Sequence, residues 1–267
     1  MTTTLRTASG RVLISSHASI GTITMQDPRR RNALSSELID GILAGFATFE
    51  RDRLRVVILR AAPGASVWSA GHDVRELPQT RRDPLGWSDP LRVLIRRIEE
   101  FSAPVIGLIE GSVWGGACEV ALACDLLIAT PDATFAITPA RLGVPYNAAG
   151  LLTFMNRVPL AILKEMAFSG EPMDAPRAAE FGIFNRVVPA QDIEGYVSTL
   201  AQRISLNAPL SVSVMKEQVR LLKSAHSLTP EMFERLQGLR RIVYDSRDYQ
   251  EGIRAFLEKR TPEFTGE

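Results

Sequence analysis

The chain has 267 residues, 45% hydrophobic and 23% charged, with 31 lysines and arginines against 30 aspartates and glutamates. These values fit a soluble globular protein with one large core, and the balanced charge excludes a global attraction to nucleic acid or to an anionic membrane surface. Cys118 and Cys124 are too few for a disulfide framework and lack metal-ligand spacing, and no apolar run approaches a membrane span or a secretory signal. A cytoplasmic protein is expected, with neither a membrane nor a nucleic acid as partner.

Taken in order, residues 12–16 and 20–25 alternate as a pair of strands. Ser35 then caps a helix whose Leu38, Ile39, Ile42, Leu43, Phe46 and Phe49 form one apolar stripe. A buried strand is predicted at 56–59, followed by a segment over 61–90 rich in Pro, Gly, Ser and Asp. That segment is too long for a plain connector and is a candidate functional loop. Residues 91–100 have helical spacing, 105–109 form a β-branched strand, and further strands are expected near 126–129 and 134–137. Beyond about Pro189 the strands stop, and residues 192–205, 209–226, 230–246 and 248–259 all carry helical patterns. An α/β core over 1–190 with a helical region over 191–267 follows.

Two turns carry the chemistry. After the 105–109 strand, Gly115, Gly116 and Ala117 lead into an apolar-periodic segment containing Glu119. A helix start offers unpaired N–H groups and a partial positive charge, and glycines remove the side chains that would keep a ligand oxygen away. The same glycines also suit close packing, and an acid in a first turn is favoured by about 0.3–1 kcal/mol whatever its role, so this segment alone leaves both options open. Val67, Trp68, Ser69, Ala70, Gly71, His72 and Asp73 form a second turn with small residues and free backbone. Together the two turns can converge two N–H donors on one oxygen, an arrangement in which each donor is worth about 2.7–4 kcal/mol of transition-state stabilisation. At this position the His72 backbone matters more than its ring. Basic clusters at 29–31, 81–82, 240–241 and 259–260 are ordinarily solvated faces and only locally candidates for phosphate contact. The chain has no Gly-x-Ser-x-Gly, no Gly-Lys-Ser or Gly-Lys-Thr loop, no His-Glu-x-x-His and no Cys-x-x-Cys. A hydrolase built on Cys118 and His72 is disfavoured because cysteine is usually buried.

The run Ser69 to Val74, together with Gly111 to Glu119, resembles the enoyl-CoA hydratase/isomerase (crotonase) superfamily. The resemblance implies a spiral of repeated strand-strand-helix units, a C-terminal helical region that builds homotrimers and often homohexamers, and acyl-CoA thioester substrates. It implies that His72 and Gly116 supply the two backbone N–H groups of an oxyanion hole. Asn32, Ala33 and Leu34 match the family's early loop, which brings Arg30 and Arg31 toward the coenzyme A nucleotide. Ala70 meets the coenzyme through its backbone, and Lys259 is placed with the coenzyme-binding residues.

Hydratases of this family use two glutamates, one at the Glu119 position and one in a Pro-Glu pair before a Leu-Gly. Here that region reads Thr138, Pro139, Ala140, Arg141, Leu142, Gly143, so Ala140 stands where the second acid is expected. A methyl group cannot exchange a proton, which disfavours hydration by paired carboxylates. Residues 142–147 and the C-terminal stretch from Phe233 to Arg260 resemble a branch of the family that decarboxylates methylmalonyl-CoA to propionyl-CoA and CO2. No added cofactor is implied, coenzyme A being part of the substrate. Tyr146 or Thr138 is expected to hold the departing carboxylate perpendicular to the thioester plane, and Glu119 to pair with a basic residue of the 91–100 helix, Arg92 foremost. The alternatives are an enoyl-CoA hydratase or isomerase using Glu119 as acid and base, and a non-catalytic binder of acyl-CoA or RNA.

Overall fold

The computed structural model describes residues 2–7, 9–77, 86–223 and 230–266. The Arg81 and Arg82 cluster, part of the predicted loop over 61–90 and the end of the predicted 209–226 helix lie outside the described residues.

Strands β1 (Thr2–Arg6), β2 (Val12–His17) and β3 (Ile20–Met25) form an antiparallel ribbon. Helix α1 (Ser36–Arg51) follows, with the Ser35 side chain accepting from the Leu38 N–H at 3.3 Å as the cap predicts. Thereafter the chain turns in a spiral, each turn laying one strand in each of two sheets. The first turn is β4 (Val56–Ala61), β5 (Val67–Ser69) and α2 (Pro90–Glu100). The second is β6 (Val105–Ile109), β7 (Ser112–Trp114) and α3 (Gly116–Ala123), and the third opens with β8 (Leu126–Ala129) and β9 (Thr134–Ala136). Next come α4 (Ala148–Met155), α5 (Leu160–Ser169), β10 (Met173–Asp174), α6 (Ala175–Glu180) and β11 (Arg186–Val187). The chain closes with α7 (Ile193–Ser205), α8 (Pro209–Lys223), α9 (Pro230–Tyr244) and α10 (Arg247–Glu258).

The larger sheet runs β1-β2-β3-β4-β6-β8-β11 and is parallel from β3 onward; the smaller runs β10-β9-β7-β5. A parallel sheet covered on both faces needs strands that are apolar throughout, and every residue of β4 and β6 is buried. Alternation still sorts their side chains: Val57 and Leu59 enter the main core with α1, α2 and α3, whereas Val56 and Ile58 face α7 through Val197 and Ala201. Arg60 is tolerated in this strand because Glu110 and Glu194 both pair with it.

Two differences from the predicted order bear on the site. The 105–109 strand does not feed the glycine turn directly, because β7 intervenes and carries the chain into the smaller sheet beside β5. Helices α4 and α5 are apolar on most sides and show no stripe of the kind that identified α1. Helix α10 forms a separate small cluster with the end of α9, in which Tyr244, Tyr249 and Ile253 pack with Val74, Leu77 and Val144. Among the described residues no helix is long and apolar enough to cross a membrane.

Candidate active site

Because β5 and β7 are parallel neighbours, the turns that follow them lie side by side at one end of the smaller sheet. Gly71 leaves β5 at φ +85°, and a Cβ there would stand 2.5 Å from the Trp114 carbonyl oxygen and 3.1 Å from the Gly116 nitrogen. Only glycine allows that approach. A Cβ at Gly116 would stand 2.9 Å from Leu91 Cδ2 and 3.5 Å from the His72 backbone nitrogen. Among the described residues, no protein acceptor takes the N–H of His72 or of Gly116, the latter being the first residue of α3. Two unpaired donors thus face the space that two glycines keep open.

That space is a cavity of about 840 Å³. His72, Gly116, Thr138, Tyr146 and Glu119 line it, as do Arg30, Arg31, Ala70 and Lys259. All nine residues singled out from the sequence are therefore brought to one place. Trp114, Leu91, Val144 and Phe256 complete much of its apolar wall and were not anticipated.

The His72 ring is tethered on the wall, with Nδ1 3.2 Å from the Asp73 carbonyl and Nε2 3.5 Å from Asp89 Oδ2. Burial lowers its pKa, but the hydrogen bond and charge of Asp89, the Asp73 carbonyl and the charge of Glu76 together offset this and leave it above the usual histidine value. Asp89 is itself placed by its capping of α2, where it accepts from the Leu91 N–H at 2.9 Å. The Asp-Pro pair at 89–90 is a recognisable helix start, and it is the signal by which Asp89 could have been found.

Glu119 lies on α3 and is 1% exposed. Arg92, in the first turn of α2, meets its Oε2 at 2.9 Å, as expected. Oε1 has no hydrogen-bond partner. Gly150 of α4 completes the enclosure, since a Cβ there would stand 2.7 Å from Oε2. Burial raises the carboxyl to about 7 against the opposing pull of Arg92. Cys118, its neighbour, is fully buried with Sγ 3.2 Å from the Ala136 carbonyl, and burial pushes its thiol well above the ordinary range.

Two expectations need correction. Tyr146 lines the cavity, yet its hydroxyl donates to the Gly115 carbonyl at 2.8 Å, so its one proton is not free for a substrate carboxylate. Ala140 is exposed and does not line the cavity, because Thr138 opens a single 3-10 turn (Pro139–Leu142) that rotates it outward. Pro139 lines the cavity at this turn, and it too can neither take nor give a proton. Thr138 also lines the cavity, and although it occupies the cap position of the turn its hydroxyl makes no capping bond.

Around the cavity mouth, Arg29, Arg30 and Arg31 are all exposed on a loop held by buried Asn32. Asn32 accepts from the Asp27 N–H at 2.8 Å and donates to the Trp68 carbonyl at 3.0 Å. Arg31 and Asn32 have φ of 52° and 49°, a left-handed pair that these bonds hold in place. Ala70 spends its N–H on the Arg31 carbonyl at 2.9 Å, which leaves its own carbonyl as the polar group available to a ligand.

The sequence model of the enoyl-CoA hydratase/isomerase family matches residues 15–267. The chain belongs to that family. Among curated members it is 47% identical to the methylmalonyl-CoA decarboxylase of Escherichia coli K12 over 238 residues, covering 89% of this chain and 91% of the relative. It is 32% identical over 258 residues to the carnitinyl-CoA dehydratase of Citrobacter koseri, covering 94% and 96%. Among solved structures of the family, methylmalonyl-CoA decarboxylase in complex with 2-nitronate-propionyl-CoA superposes with a TM-score of 0.95 at 44% identity, covering 96% of this chain and 99% of the other. An enoyl-CoA hydratase from Mycobacterium avium gives 0.75 at 28% identity, covering 93% and 94%. The spiral of strand-strand-helix units is thus the family's fold in this chain.

Proposed function

We propose that this protein decarboxylates methylmalonyl-CoA to propionyl-CoA and CO2. The observation that carries the proposal is the pair of unpaired N–H groups of His72 and Gly116, set in a cavity where the Thr138 hydroxyl makes no capping bond and Pro139, which cannot exchange a proton, stands beside it in the 3-10 turn. The resemblance to a methylmalonyl-CoA decarboxylase along nearly the whole chain supports it.

In this reaction the bond between the α carbon and the carboxylate breaks, and its electron pair moves into the bond between the α carbon and the thioester carbon. Negative charge then gathers on the thioester oxygen, where the two N–H groups receive it. CO2 departs and a proton adds to the α carbon. No base is needed to start, because the electrons already sit in the breaking bond. Orientation is needed instead, and we assign it to Thr138, whose hydroxyl can hold the carboxylate across the thioester plane while Leu91, Val144 and Trp114 make an apolar surround that disfavours its charge. Arg30, Arg31 and Lys259 at the mouth suit the phosphates of coenzyme A, and the Ala70 carbonyl suits an N–H of its adenine or pantetheine arm. The carboxylate of Glu119, paired to Arg92, shapes the wall.

Incubation with methylmalonyl-CoA, malonyl-CoA and crotonyl-CoA side by side, following CO2 and thioester products, tests the assignment. CO2 release from the malonyl-type esters without hydration of crotonyl-CoA is expected. Hydration of crotonyl-CoA without CO2 release would replace it with the hydratase alternative, which the unpartnered Oε1 of Glu119 and its raised pKa favour.

Homotrimers, or pairs of trimers, are proposed as the assembly. Leu210, Val214 and Leu222 of α8 and Leu239 and Ile242 of α9 are exposed, apolar side chains that contact with other copies of the chain would cover. Light scattering on the eluted protein gives the mass directly, and a monomer at micromolar concentration would refute it.

A further inference from the structure

The N–H that faces the cavity from Gly116 and the carbonyl that accepts from Tyr146 belong to one peptide group. The Gly115 carbonyl receives the Tyr146 hydroxyl at 2.8 Å and the Cys118 N–H at 3.0 Å. In an amide the oxygen and the N–H are joined through the same delocalised bond, so drawing charge toward the oxygen makes the N–H a stronger donor. The peptide is also clamped mechanically. Gly115 sits at φ 53° and ψ −123°, a conformation that needs glycine, and its own N–H is fixed by the Ala136 carbonyl at 2.9 Å. Without the phenol, the Gly115–Gly116 peptide would lose one of the two donors on its oxygen and with it part of what sets its plane.

Tyr146 is built to hold this position. It is 9% exposed, and its ring packs edge-on against Phe154 with centroids 5.3 Å apart and planes at 73°. Burial keeps the phenol protonated far above neutral pH, so the hydroxyl remains a donor. A residue that only oriented the substrate carboxylate would have to aim its proton at the ligand, and here the proton is aimed at backbone.

We propose that Tyr146 is a positioning residue of the oxyanion hole, whose hydroxyl aims and polarises the Gly116 N–H through the Gly115 carbonyl. The proposal rests on the decarboxylase assignment for the reaction it assists, but not for its spectroscopic readout. The test is Tyr146→Phe, which keeps the ring and its packing, compared with wild type by infrared spectroscopy of bound propionyl-CoA labelled with carbon-13 at the carbonyl. In wild type the carbonyl band should lie below its position in solution, and in the variant part of that displacement should disappear. Loss of one supporting hydrogen bond should lower kcat on methylmalonyl-CoA by about tenfold with KM within about twofold. Placing 3-fluorotyrosine at position 146, a more acidic phenol, should move the band further down. A folded Tyr146→Phe protein with an unchanged carbonyl band overturns the proposal: reduced kcat would then mean direct contact with the carboxylate, and unchanged kcat would mean no role. If wild type releases no CO2 while the band still moves in the variant, the assigned reaction fails and the role of Tyr146 stands.

Discussion

Arg92 and Glu119 face each other across the boundary between α2 and α3, 2.9 Å apart, with only the second carboxylate oxygen left without a partner. The ion pair ties one oxygen of this acid to α2 and gives it a place in the cavity wall. Glu119→Gln should therefore keep decarboxylase activity within about threefold of wild type, whereas loss of an essential general acid ordinarily costs 10²–10⁴-fold. A loss of that larger size in a folded variant would assign proton delivery to Glu119.

The same residue predicts a pH dependence of stability. Its folded pKa, about 7, lies above the ordinary carboxylate value because burial penalises the charge. Stability from the neutral form is fully present below the ordinary value, about 4.3 for an unfolded glutamate, and is lost as pH rises through about 7. Glu119→Gln removes this titration. The melting temperature of the variant should rise relative to wild type between pH 5 and pH 8, and parallel curves would show that Glu119 does not titrate there.

His72→Ala should retain most activity, because the ring is tied to Asp89 and the Asp73 carbonyl while the backbone N–H faces the cavity. Since the folded pKa is raised, the ring's pairing stabilises the protein below the usual histidine value and is lost as pH rises through the folded value. Urea unfolding should accordingly find a larger deficit in His72→Ala at pH 6 than at pH 8.5. A fall in kcat of several orders of magnitude in the folded variant would mean that the ring takes part in the chemistry.

Gly71→Ala and Gly116→Ala should fail in different ways. At Gly71 a methyl group meets the rigid Trp114 carbonyl and a φ of +85°, so the melting temperature should drop by several degrees, consistent with a strain of about 1–3 kcal/mol. At Gly116 the nearest atom is Leu91 Cδ2, the movable end of a side chain, so the protein should fold. The methyl group would nevertheless stand in front of the His72 N–H, and kcat should fall by about 10²-fold or more. Wild-type turnover by Gly116→Ala would remove these donors from the mechanism.

Thr138→Val should lower kcat on methylmalonyl-CoA by about tenfold or more while leaving the affinity for propionyl-CoA nearly unchanged, because the latter has no carboxylate to orient. Equal losses for both ligands, measured by steady-state kinetics and calorimetry, would place Thr138 in general thioester binding instead.

Much of this was legible before folding. Strands β2, β3, β4, β6 and β8 follow from alternation or unbroken apolar runs, and α1 follows from its stripe and the Ser35 cap, because those patterns depend only on local geometry. The glycine turns at 71 and 115–116 could likewise be anticipated from residue types and their spacing, and the Arg92 to Glu119 pairing from the family resemblance and the missing second acid. Strands β1, β10 and β11 were not, since the last two are only two residues long and exist because β9 and β8 are there to pair with them. Which side chain of 138–141 enters the cavity, and where the Tyr146 proton goes, could not be read either. A one-residue rotation of a 3-10 turn sends Ala140 outward and Pro139 inward, and an oxygen 31 positions away in sequence captures the phenol. The residues by themselves determined that two bare backbone turns would exist; only the parallel pairing of β5 with β7 set those turns side by side, because hydrogen-bonded register between distant strands decides which N–H groups share one space.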